Sequence, residues 1–162
     1  METDLRMDGY TMKTFETLAE LAAQVGQEVV VSDWVQVTQS HINQFADATG
    51  DHQWIHVDVE RAKAGPFGAP IAHGFLTLSL IPNFFDTSLA VTQVRMGVNY
   101  GLNKVRFMAP VPVDSRLRAR IVLLKAEPID NNGLQTTWTV TIEREGSERP
   151  VCVAESLARM YP

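Results

Sequence analysis

A single cysteine, Cys152, rules out an internal disulfide, so the fold must be held by a packed core and not by cross-links. Cys152 lies in the apolar run Val151-Cys152-Val153-Ala154, which reads as a buried strand with the thiol as a small core residue. No run approaches the ~18 apolar residues of a membrane span. The charged start Met1-Glu2-Thr3-Asp4-Leu5-Arg6 lacks the apolar stretch of a secretory signal, so a cytoplasmic protein without membrane contact is expected. Excess positive charge is missing too: a net charge of −5 gives no footprint for general nucleic-acid binding. Cysteine pairs and an HExxH motif are absent, and the spacing of Asp51, His52, His56 and Asp58 fits no common zinc or calcium loop. No metal is expected, and the chain carries no internal repeat and no low-complexity segment.

Hydrophobic residues make up 45% and charged residues 20%, the composition of a globular protein, and 162 residues suit one compact domain spanning 1–162. Phe15, Leu18, Leu21, Ala22 and Val25 recur at helical spacing over residues 14–25, ahead of Gly26, so an N-terminal helical extension is predicted over residues 1–25. Val29, Val30, Val31, Trp34, Val35 and Val37 predict a first strand. Thr38 or Ser40 caps a helix with Ile42, Phe45, Ala46 and Thr49 on one face, stopping at Gly50. Residues 51–57 follow neither period, and residues 58–64 predict a helix of one or two turns. Residues 71–85 are apolar almost all round, which predicts a helix buried on nearly every side. Strand-like runs at about 92–108, 115–126, 134–144 and 150–160, separated by Pro-, Asn- and Gly-rich turns, predict antiparallel hairpins that wrap it. The fold class is α+β.

Two segments carry chemistry. Gly50-Asp51 and His56 place a carboxylate and an imidazole five residues apart in a non-helical stretch, and His73-Gly74 puts a glycine amide at the start of the apolar helix. A carboxylate and an imidazole are suited to moving protons near neutrality. Helix-start amides lack intrahelical partners and can polarise a carbonyl as an oxyanion forms.

Gly50-Asp51, His56 and His73-Gly74, with the run Asn99-Tyr100-Gly101-Leu102-Asn103-Lys104-Val105-Arg106-Phe107-Met108-Ala109-Pro110-Val111, resemble the MaoC-like dehydratase or (R)-specific enoyl-CoA hydratase family, nodulation-protein-N-like branch. The likeness covers roughly residues 25–160. Two positions depart from it: Gln53-Trp54 stands where many members have Asn-Pro, and Pro82 where some carry a serine.

The resemblance implies a single hot-dog domain, an antiparallel sheet wrapped around a long central helix. It implies reversible addition of water to a (2E)-enoyl-CoA to give the (R)-3-hydroxyacyl-CoA, with Asp51 and His56 as the acid/base dyad and Gly74 N–H as oxyanion donor. Which dyad member is acid and which is base stays open. The substrate is an acyl-CoA or acyl-carrier-protein thioester, coenzyme A being part of the substrate and no cofactor being required. A homodimer is expected. His73 is a candidate substrate contact or, as a helix-start side chain, a brace or cap for the loop. Seven basic residues fall between 95 and 125, and Arg106, Arg116 and Arg118 among them are candidates for the coenzyme A phosphates, arginine forks being suited to phosphate. The competing readings are an acyl-CoA thioesterase and a non-catalytic acyl-thioester-binding protein.

Overall fold

The computed structural model describes the backbone of residues 3–7 and 10–162 and the side chains from residue 12 onward; Met1 and Glu2 of the charged start lie outside the described residues. The N-terminal segment differs from the helical extension predicted over residues 1–25. Strands β1 (Thr3–Met7) and β2 (Tyr10–Phe15) form an antiparallel pair, and among the described residues of this segment only α1 (Leu18–Ala22) is helical. Thr17 sets the helix start by accepting from Glu20 N–H, which leaves the apolar Phe15 on a strand. Gly26 adopts φ +88° after α1 and donates its N–H to Leu123 O.

The valine-rich run divides into β3 (Glu28–Val31) and β4 (Val35–Gln36), interrupted at residues 32–34. Helix α2 (Gln39–Thr49) agrees with its sequence signals: Thr38 caps it, Ile42 and Ala46 are buried, and Gly50 ends it at φ +80°. The stretch that fits neither period contains the single turn α3 (Trp54–Val57), and Asp58 caps α4 (Val59–Lys63).

The central helix is broken, not continuous. Helix α5 (Gly74–Ser79) and helix α6 (Ile81–Asp86) meet at Leu80, because Pro82 has no N–H to donate and fits only the first turn of a new helix. Nor is burial all round. Leu76, Thr77, Ile81 and Phe84 are buried, whereas Phe75 is 69% exposed.

Beyond α6, β5 (Leu89–Val91) pairs parallel with β2. The four long strands are β6 (Met96–Phe107), β7 (Arg116–Ile129), β8 (Gly133–Arg144) and β9 (Cys152–Tyr161). They form an antiparallel sheet in the order β3-β7-β8-β9-β6, with β4 also on β7. Hairpins join β7 to β8 and β8 to β9, but β6 crosses over to pair with β9 at the far edge. Asn131 and Asn132, at φ 60° and 56°, make the tight β7–β8 turn.

The inner face of this sheet carries Leu117, Ala119, Ile121, Leu123, Trp138, Val140, Ile142, Cys152 and Ala154, all at most 1% exposed. Helices α5 and α6 lay Leu76, Ile81 and Phe84 against it in one cluster, and Phe85 meets Trp138 edge to face at 5.1 Å. Each fully buried large side chain contributes roughly 1.5–3 kcal/mol. This is the hot-dog arrangement. No helix among the described residues is long and apolar enough to cross a membrane.

Candidate active site

The segment 70–72 connects the dyad loop, the central helix and the sheet. Ile71 N–H donates to Ile55 O, Ala72 N–H to Val111 O and Val113 N–H to Pro70 O. This short extended piece therefore sets where His73 and Gly74 enter α5 and, through Ile71, where His56 sits.

His56, on α3, is buried at 6% exposure. Its Nδ1 lies 2.6 Å from Ile71 O. A carbonyl only accepts, so Nδ1 carries the proton and Nε2 of the neutral ring keeps a bare lone pair. From α2, Gln39 donates its side-chain amide to His56 O at 2.8 Å, holding the backbone of the turn. Burial pushes the imidazole below its ordinary 6.5, and the neighbouring His73 adds to this; the bond to Ile71 O and the Asp51 carboxylate oppose it.

Asp51 follows the left-handed Gly50 and remains exposed. Its carboxylate accepts from Gln53 N–H at 3.3 Å, an Asx turn that bends the chain toward α3. The Gln53-Trp54 departure has a structural counterpart here. The Trp54 ring packs under the Arg61 guanidinium at 4.4 Å and against Gly65, where an added Cβ would lie 2.9 Å from the ring. Trp54 thus anchors the loop on its outer side.

His73 is not among the residues that line a cavity with His56 and Gly74. It is 3% exposed, its ring stacks on His56 at 3.8 Å and 25°, and Phe45 covers it at 5.0 Å. Its Nε2–H donates to Asp51 O at 2.9 Å. A nitrogen or carboxylate oxygen from each of Asp51, His56 and His73 lies within 4.8 Å of the others. Nδ1 of His56 and Nε2 of His73 are committed to backbone carbonyls, which leaves Nε2 of His56 and Nδ1 of His73 as the free ring nitrogens beside the Asp51 carboxylate. His52 turns away to Asp47 at 2.9 Å, which holds its imidazole above the ordinary 6.5, and Asp58 caps α4.

Gly74 opens α5 against Phe107 of β6. An added Cβ would lie 2.8 Å from the Phe107 ring, so glycine is required by the close approach. His56, Gly74, Thr77 and Phe107 line one cavity of about 350 Å³. Thr77 Oγ1 and His73 Nδ1 are buried without a hydrogen-bond partner among the described residues.

The arginines sit elsewhere. Arg116 pairs with Glu145 at 3.0 Å and Arg118 with Glu143 at 2.8 Å, and both guanidiniums pack over Trp34 on the outer face of the sheet. Arg106 is exposed beside Phe107 and donates to Val105 O. The structure thus brings Asp51, His56, His73 and Gly74 together and leaves Arg116 and Arg118 in ion pairs away from the cavity. Gln39, Thr77 and Phe107 belong to the site without having been legible as such. Only the apolar helical face carrying Thr77 and the position of Phe107 after the basic Arg106 hinted at them.

The family profile described as MaoC like domain matches residues 20–145. The 3-hydroxyacyl-thioester dehydratase Z of Mycobacterium tuberculosis (strain CDC 1551 / Oshkosh) is 57% identical over 148 residues, 91% of this chain and 98% of that protein. Nodulation protein N of Rhizobium leguminosarum bv. viciae is 47% identical over 140 residues, 85% of this chain and 87% of that one. Among solved structures, R-hydratase PhaJ1 from Pseudomonas aeruginosa matches with a TM-score of 0.68 at 24% identity, covering 91% of this chain and 86% of that chain, a likeness of fold.

Proposed function

The chain belongs to the MaoC-like domain family, and from that premise we propose that it is a hydro-lyase adding water reversibly to a (2E)-enoyl thioester of coenzyme A or acyl carrier protein, giving the (R)-3-hydroxyacyl thioester. The observation that carries this reading is a buried His56 whose Nε2 is left bare, with a ring nitrogen within 4.8 Å of the Asp51 carboxylate, lining one cavity with Gly74.

A water held between the two groups gives one O–H to the Asp51 carboxylate, which orients it. His56 Nε2 takes the proton of the other O–H as the oxygen bonds to Cβ of the enoyl group. Electron density moves to the thioester oxygen, which Gly74 N–H receives as an oxyanion donor. The imidazolium returns the proton to Cα, so one O–H bond breaks, one C–O and one C–H bond form, and the carbon–carbon double bond becomes single. Dehydration runs the same steps backward. The similarity to a protein named for 3-hydroxyacyl-thioester dehydration supports the substrate class.

Apart from the cavity of His56 and Gly74, Phe45 and Phe75 border another, which shares Ile81, Pro82, Asn99 and Ser156 with a third of about 300 Å³ that Trp138 also lines. Two copies are proposed to pair through β6, the outer strand of the sheet.

Loss of enoyl absorbance from crotonyl-CoA tests the reading. Asp51→Asn and His56→Ala are each expected to lower turnover by about 10²- to 10⁴-fold, the span of general acid–base catalysis. Unchanged turnover in both sinks the mechanism, and release of free thiol in place of hydration makes the protein a thioesterase.

A further inference from the structure

We infer that His73 is a positioning residue that sets the dyad geometry by clamping the backbone of Asp51 to the ring of His56. The inference rests on the reading of Asp51 and His56 as the dyad and adds a role to that site. Asp51 is exposed and stands on a loop between α2 and α3, while His56 is buried on α3. Among the described residues, Asp51's own carboxylate is bonded only locally, to Gln53 N–H. One side chain touches both partners: His73, whose Nε2–H donates to Asp51 O at 2.9 Å while its face lies 3.8 Å from the His56 ring. Phe45 of α2 presses on His73 at 5.0 Å, and the first turn of α5 fixes its backbone, with Thr77 N–H donating to His73 O. The ring cannot tilt without moving either the carbonyl or the imidazole.

The chemistry of the ring also matters. In its neutral form His73 spends its one N–H on Asp51 O, so Nδ1 is a bare acceptor, buried without a hydrogen-bond partner among the described residues. Protonating Nδ1 would place a cation against His56 in a buried stack. The charged groups acting on His56 are His73 and Asp51, and the α2 residues that meet the two histidines, Gln39 and Phe45, carry no charge.

Two variants separate the clamp from the packing. His73→Phe keeps a flat ring between Phe45 and His56 but loses the donor; His73→Gln keeps an N–H near the Nε2 position but loses the ring. With crotonyl-CoA, His73→Phe is expected to lower kcat by about 10- to 100-fold with KM little changed, the size expected of a small misplacement of reacting groups. His73→Gln is expected to be clearly faster than His73→Phe. Two substrate-free readouts by nuclear magnetic resonance accompany these: the Asp51 carbonyl carbon moves in His73→Phe and less in His73→Gln, and His56 titrates at higher pH in both. Wild-type kcat together with an unmoved Asp51 carbonyl in His73→Phe overturns the inference. So does a fall in kcat that only follows the folded fraction in both variants. If His73→Phe does not fold, the Asp51 carbonyl and the His56 titration in His73→Gln decide. A wild-type protein that does not hydrate crotonyl-CoA overturns the hydratase reading alone, since the two resonance readouts still judge the clamp.

Discussion

At the scale of single residues, the fixed tautomer of His56 has the widest consequences. With Nδ1–H held on Ile71 O, only the neutral ring offers Nε2 as a base, and burial keeps it neutral below the ordinary 6.5. The acid limb of kcat/KM is therefore expected below pH 6.5, and a profile whose limb lies above that value contradicts the assignment. Stability follows with a definite sign. Between the lowered folded value and 6.5 the unfolded chain binds more protons than the folded one, so the free energy of unfolding rises with pH through that window. The contribution is complete above 6.5 and is lost as pH falls, and His56→Gln is expected to flatten the dependence in denaturant titrations across that range. Cys152 behaves oppositely as a thiol. Burial pushes it up to about 11, so it is expected to stay unreactive toward a thiol reagent until the protein unfolds. Asp51, His56 and Gly74 could be singled out beforehand as a constellation, and the structure brings them to one place; spacing alone carried little of that. That His73 braces the loop was open to a sequence reading; that it does so on Asp51 O was not, because a backbone carbonyl twenty-two positions away carries no side-chain signature.

At the scale of elements, local signals read true and remote ones did not. Helix α2 was visible in Thr38, its apolar face and Gly50, and the β7–β8 turn in Asp130-Asn131-Asn132-Gly133, since each is decided by neighbours within a few residues. The parallel pairing of β2 with β5, the crossing of β6 to β9 and the break at Leu80 depend on what the segment packs against. Residues 14–25 could satisfy a helical period and still place Phe15 on a strand, because Phe15 is buried in either form. The contact of α5 with β6 gives the clearest prediction at this level. Gly74→Ala would set a Cβ 2.8 Å from Phe107 Cδ2 and 3.0 Å from Cγ, so the ring or the start of α5 must shift. Overpacking of this kind costs roughly 1–3 kcal/mol. The displaced amide is expected to lower kcat as well. Because the two sites touch, the double variant Gly74→Ala with Phe107→Ala is expected to recover more stability than the two single effects predict by addition, which denaturant unfolding of all four proteins measures.

At the scale of the whole molecule, the sheet leaves one long edge open. Its other edge is broken into the short β3 and β4, whereas β6 runs twelve residues with a partner on one side only, among the described residues. Along that edge Met96, Val98, Tyr100 and Leu102 are each at least 41% exposed, and Phe75 stands out beside its end against Phe107 at 5.8 Å. A long apolar edge of this kind invites another strand, and proteins that stay monomeric usually blunt it with lysine, proline or a covering loop. The strand most readily available is β6 of a second copy. Antiparallel pairing of the two about a twofold axis satisfies both edges at once and makes one continuous sheet, the self-complementary geometry of a closed dimer. Light scattering at micromolar protein is therefore expected to give twice the 18.0 kDa of one chain. Val98→Lys puts a charge where the two strands meet next to their own copies, and the same measurement is expected to return 18.0 kDa with the circular dichroism of the folded chain retained. A wild-type protein of single-chain mass would rule out the pairing and leave the exposed edge to a partner other than a second copy.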